Sequence, residues 1–106
     1  MKLGLLTAMF GSTPLKEVVE IIRPLKLQCV ELGTGGYPGG AHAPVKELLS
    51  SKTKRDEFKA LLKGEGIELA ALSCHGNCLH PDPDFAKRSR ETQTDTIKLA
   101  HELGVK

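Results

Sequence analysis

Aromatic residues are scarce in this chain: there is no tryptophan, one tyrosine and three phenylalanines among 106 residues. That is too few for the stacking platforms that hold single-stranded nucleic acid. Charge of one sign is scarce too, with 15 basic against 13 acidic residues and a net charge of +2. The lysines and arginines are interleaved with acids, as on solvated helix faces, and form no basic stripe for a phosphate backbone. No apolar run approaches the ~18–20 residues that a membrane-spanning helix needs. The apolar start M-K-L-G-L-L-T-A-M-F is short, is broken by Gly4 and Thr7, and is followed by no small-residue cleavage site. It reads as a first strand, so a cytoplasmic protein is expected. Cysteine is sparse and odd in number, at three. Reduced thiols fit that better than a disulfide framework.

Apolar periodicity is plentiful. Met1–Phe10 reads as a buried strand. Gly11-Ser12-Thr13-Pro14 then switches the period, with Ser12 or Thr13 as helix cap and Pro14 in the first turn. Leu15, Val18, Val19 and Ile22 follow at helical spacing, and Pro24 ends the helix. Leu27–Leu32 is the second strand, and the glycine-rich Gly33–Gly40 is the loop after it. A short helical turn is predicted around Pro44–Leu49. A second helix is capped by Thr53 and stopped by Gly64. Ile67–Ser73 is the third strand and Ser73–Asp82 its loop. Asp82 and Pro83 open a last helix, which runs to about Leu103 and stops at Gly104. Val105 and Lys106 read as the first step of a fourth strand.

The order is βαβαβα, an α/β arrangement with a parallel sheet and right-handed crossovers. Strand starts near residues 3, 28 and 67 give about 32 residues per unit. A (β/α)8 barrel averages about 31, and an open flavodoxin-like sheet is similar. Three parallel strands cannot close a barrel and leave both edges open. The expectation is therefore a fragment of a larger enzyme, or a module that self-associates or pairs through those edges.

Chemistry-bearing residues cluster after strands two and three. Alternation places Cys29, Glu31 and Gly33 on one face, and Leu69, Ala71, Ser73 and His75 on one face. Glu31 and His75 are expected in a shared pocket at the strand ends, where parallel α/β folds collect functional groups. A carboxylate in a buried strand needs a partner or a role. The run G-T-G-G-Y-P-G-G fails the dinucleotide fingerprint, because its third glycine position is Pro38, and it lacks the lysine of a Walker loop. It reads as a βα loop whose amides can hold a small anion or sugar hydroxyls. His42 lies just beyond it.

The loop S-C-H-G-N-C-L-H-P-D packs two cysteines, two histidines and an asparagine into ten residues. Its C-x3-C spacing is not that of a redox pair. Adjacent Cys74 and His75 point apart in an extended chain, which disfavours a closed structural zinc site. Cys74 reads as packing and Cys78 as turn. His75, Asn77 and His80 remain, for an open metal or for hydrogen bonds to a polar substrate.

V-E-L-G-T-G-G-Y-P-G-G-A-H and S-C-H-G-N-C-L-H-P-D together resemble the sugar phosphate isomerase/epimerase family. These are xylose-isomerase-like TIM barrels related to endonuclease IV. The resemblance runs along residues 1–106, as the N-terminal part of such a domain. It implies an enzyme that moves a proton beside the carbonyl of a sugar or sugar phosphate, aided by a divalent metal (Mn, Mg, Zn or Co). It implies a catalytic role for Glu31 and a metal-ligand role for His75. It also implies substrate contacts from Tyr37, His42, Asn77 and His80. The main metal ligands of the family sit on later strands that this chain lacks, so the chain alone is expected to be inactive. Cys78 also replaces the proline more usual in that motif. Two other expectations stand beside this one: an endonuclease-IV-like metal phosphodiesterase, and a non-catalytic half-barrel that assembles with a partner.

Overall fold

The computed structural model describes residues 1–105. Three parallel strands lie in the order β1-β2-β3, with β1 at Gly4–Leu6, β2 at Cys29–Gly36 and β3 at Glu68–His75. The helices are α1 (Leu15–Ile22), α2 (Val45–Ser50), α3 (Lys52–Gly64) and α4 (Pro83–Leu103). The expected βαβαβα alternation is present, with the second crossover split into two helices at Ser51.

Burial follows the apolar periodicity. Val18, Val19 and Ile22 of α1 meet Val30 and Leu32 of β2, Leu48, Phe58 and Leu62 of the second crossover, and Leu99 of α4 in one core. Fully burying each such side chain contributes about 1.5–3 kcal/mol. Where α1 ends, the Arg23 guanidinium forks onto Glu65, with Nε and Nη2 donating at 2.7 and 2.6 Å. That carboxylate raises the already high arginine pKa further and ties α1 to the end of α3.

Several boundaries differ from the sequence expectation. β1 is three residues long, because Thr7–Phe10 turns into a 3-10 helix. Pro24 sits inside a second 3-10 turn, Arg23–Leu25. α1 begins behind Pro14 with no side-chain cap, so neither Ser12 nor Thr13 serves. α3 is capped by Ser51, whose Oγ accepts the Lys54 N–H, two residues before Thr53. α4 is as expected: the Asp82 carboxylate accepts the Asp84 and Phe85 N–H groups, and Gly104 closes the helix at φ 76°. Gly104 N–H reaches His101 O and Val105 N–H reaches Ala100 O. This pair of bonds is a Schellman motif. Val105 thus completes the helix end, and Lys106, the other residue of the expected fourth strand, lies outside the described residues.

The largest correction concerns β2. It continues through Gly33-Thr34-Gly35-Gly36, which the sequence assigned to a loop. Thr34 is 5% exposed, and its hydroxyl donates to Ser73 O and lies 2.9 Å from Thr96 Oγ1 on α4. A Cβ on Gly33 would fall 2.4 Å from Gly39 O and 2.8 Å from Pro38 Cγ. The residues after β2 thus fold back over its own end as a strap, and only glycine leaves room for it.

Candidate functional site

Two register shifts decide which residues share a face. Val30 pairs with Leu69 but Glu31 pairs with Ala71, so Ala70 is an extra residue on β3. Leu69 therefore stays with the core, while Ala71 joins the Glu31 face. Leu72 and Cys74 turn to α4, where they border Gln93, Thr96 and Ile97. Alternation from Ala71 then brings Ser73 and His75 onto the Glu31 face. The expected grouping is corrected at Leu69 and holds for the other three.

Glu31 is half-buried in a recess of about 190 Å³, with Gly4, Leu6, Cys29, Ala70 and Ala71 around it. No hydrogen-bond or ion-pair partner for its carboxylate is found among the described residues. It is the third residue of an eight-residue strand, not its end. Its neighbour Ala71 is four residues before His75, or about 13 Å along the strand. Glu31 and His75 thus lie on one face, as expected, but at different depths. Between them sits the Gly33–Ser73 pair, under the Pro38–Gly39 strap. Ser73 is 6% exposed and its Oγ has no hydrogen-bond partner among the described residues.

His75 ends β3 and is exposed. Its N–H donates to Tyr37 O and its carbonyl accepts the Tyr37 N–H, both at 3.0 Å. This reciprocal pair is an isolated antiparallel bridge closing the mouth of a parallel sheet. The two ring centroids are 6.4 Å apart with planes tilted by 48°. The Asn77 side chain bends the loop that follows, its Oδ1 accepting the Leu79 N–H at 3.0 Å. Asn77 is exposed, so its amide NH2 faces solvent.

Two histidines depart from the expected substrate contacts. His42 is 6% exposed. Its Nε2 faces the carbonyls of Thr13 at 2.8 Å and Phe10 at 3.1 Å, so Nε2 carries the hydrogen and donates. Its Nδ1 lies 2.7 Å from Oγ1 of the fully buried Thr7. Both ring nitrogens are spent inside the chain, and the ring holds the turn after β1 to the loop after β2. His80 accepts the Asp82 N–H at Nδ1 and packs on the Phe85 ring, centroid to centroid 4.4 Å. It shapes the entry to α4, leaving only Nε2 for another partner. Cys78 is likewise part of the turn. Its thiol donates to Gln93 Oε1 and its carbonyl accepts from Arg90 Nη1.

The residues that sequence reasoning missed are Thr7, Thr34, Ser73 and Thr96. Short hydroxyl side chains carry no pattern that announces burial. Only the strap, α4 and the His42 ring give them their roles.

Among the described residues no three His, Cys, Asp or Glu side chains converge to hold a metal ion. His75 is one open imidazole with no second donor in that set, so the residues present do not make up a metal centre. A larger concavity, about 810 Å³, lies elsewhere, between the start of α2 and α4 beside Thr34, Lys46, Glu47, Arg88 and Asp95. Its rim carries solvated charges of both signs, and Lys98 is paired with Asp95 at 3.3 Å. Size alone does not make it a sugar site.

With this geometry in hand, the chain was compared with known proteins. No family model matches it. It is 36% identical, over all 106 residues, to the uncharacterized protein YfiH of Bacillus subtilis (strain 168), covering 34% of that protein. Among solved structures it matches the D-psicose 3-epimerase from Clostridium cellulolyticum H10, crystallised with D-tagatose. That match has a TM-score of 0.61 and 26% identity over 99% of this chain and 35% of the epimerase. The fold is three βα units of a TIM barrel. The chain spans about a third of the length of the proteins it matches. Among the described residues no helix is long and apolar enough to cross a membrane.

Proposed function

We propose that this chain forms part of the sugar-facing wall of an isomerase or epimerase that moves a proton beside a sugar carbonyl. The observation that carries the proposal is the likeness, over 99% of the chain, to a D-psicose 3-epimerase. The position of His75, Tyr37 and Asn77 at the C-terminal ends of parallel strands supports it, since barrels of this kind build their active sites there.

The chemistry needs a base to take the proton from the carbon next to the carbonyl, giving an enediolate. The proton then returns to the opposite face of that carbon in an epimerase, or to the neighbouring carbon in an isomerase. His75 and Asn77 present donors to the substrate oxygens at the strand ends. Glu31 stands about 13 Å lower along the sheet, so the base for a substrate held at His75 comes from another group. A divalent metal at this pole would take His75 as one ligand and draw the others from beyond these residues.

The test grafts this sequence in place of the matched third of the epimerase. Deuterium incorporation from D2O into D-psicose and D-tagatose is then followed by NMR, with Mn, Mg, Zn or Co supplied. The graft is expected to exchange the proton beside the carbonyl, and His75→Ala is expected to slow it. A folded graft that exchanges no deuterium while the parent epimerase does would overturn the proposal.

A further inference from the structure

We propose that Tyr37 and His75, joined through their backbones, act together as a two-ring platform that binds the C–H face of a neutral sugar. The choice of ligand rests on the function proposed above; the platform itself rests on geometry.

Tyr37 is the one tyrosine in a chain without tryptophan, and it is 71% exposed. Free aromatic rings on loops are ordinarily mobile. Here the two backbone bonds to His75 fix the Cα of Tyr37 at the mouth of the sheet. The chain reaches that position through Gly36 at φ 60°, where a Cβ would fall 2.0 Å from His75 O. The bridge therefore depends on a glycine with a left-handed backbone. The rings stand at the spacing of an interacting aromatic pair yet open at 48° toward solvent. Backbone already fixed there adds no ordering cost when a ligand covers the rings, because that cost is met on folding.

A sugar suits such a surface. One face of it is a patch of C–H groups that can cover an aromatic ring, and its edge is a row of hydroxyls. The imidazole edge of His75 and the outward amide of Asn77 offer those hydroxyls partners. A flat apolar ligand would leave those polar groups unpaired, and an anion would gain nothing from the ring faces, whose charge is negative.

The absence of tryptophan supplies the assay, since tyrosine fluorescence in this chain reports Tyr37 alone. D-Psicose and D-tagatose are titrated into the chain, with glycerol at matched concentration as control. A saturable change with the sugars and none with glycerol is expected. His75→Ala is expected to weaken binding about fivefold, and His75→Phe, which keeps a ring but loses the imidazole edge, is expected to weaken it less. Gly36→Ala, which pushes the bridge apart, is expected to weaken it as well. No saturable change up to ~200 mM sugar would overturn the platform. So would an unchanged affinity in folded His75→Ala and Gly36→Ala. Sugar binding in a chain whose graft exchanges no deuterium would leave the platform standing and remove the isomerase reading. Deuterium exchange that Tyr37→Ala leaves unchanged in KM would do the reverse.

Discussion

His42→Ala separates a structural histidine from a substrate-binding one. The ring is buried against Thr7 and two carbonyls. Removing it strands the hydroxyl of Thr7, which has no exposure at all. An orphaned buried hydroxyl costs about 1–3 kcal/mol. The void left by the imidazole adds about 1–2 kcal/mol. Phe10 O loses less than Thr13 O, because it still accepts the Thr13 N–H at 2.8 Å. The sum is about 2–5 kcal/mol, a large part of the ~5–15 kcal/mol that holds a domain folded. At roughly 4 °C per kcal/mol for a domain of this size, Tm is expected to fall by about 8–20 °C. The assay is thermal unfolding followed by circular dichroism. Thr7→Val supplies a double-mutant cycle, in which the pair is expected to couple by about 1–2 kcal/mol. A drop below about 4 °C, with no coupling to Thr7→Val, would refute this account of His42.

Gly33→Ala places a methyl against Gly39 O and Pro38 and is expected to cost about 1–3 kcal/mol, with faster amide exchange across residues 37–40. Asp82→Ala removes the cap of α4 and is expected to cost about 0.5–2 kcal/mol in urea unfolding. Thr34→Val leaves its size unchanged but deletes the bonds to Ser73 O and Thr96; a loss of about 1–2 kcal/mol is expected by the same assay. The Asp56 carboxyl is held below its ordinary value by the hydrogen bond from Lys52 at 2.5 Å. Its folded pKa is depressed, so its small contribution is present above pH 3.8 and is lost as pH falls through the folded value. Lys52→Gln is expected to move the Asp56 carboxyl titration upward in carbon-detected NMR.

Helix boundaries set by local chemistry were legible in the chain. Asp82, Pro83 and Gly104 bound α4 because a cap accepts its own helix's N–H groups and a glycine takes φ 76° without outside help. The apolar stripe of α1 was legible for the same reason, since a helix presents every third or fourth residue to one side. Gly33–Gly36 was not. Glycine reads as loop on propensity, and it is strand here because a strap and an α4 threonine press on both sides of it. The extra residue at Ala70 was also silent, so alternation counted from Leu69 lost its phase. His42 looked available because sequence shows a histidine in a loop but not the two turns, Thr7–Phe10 and Gly11–Thr13, that come back to enclose it.

These differences change what the inner face of the sheet can do. It has three levels. Glu31 and Ala71 form the lowest, Gly33 and Ser73 the middle, and His75 with Tyr37 the top. The strap covers the middle level, and Tyr37, at its start, is bonded to the top. A ligand lying on Tyr37 and His75 is therefore held off Glu31 by the strap itself. The Ser73 hydroxyl at that level is buried with no partner among the described residues, and such burial costs about 1–3 kcal/mol.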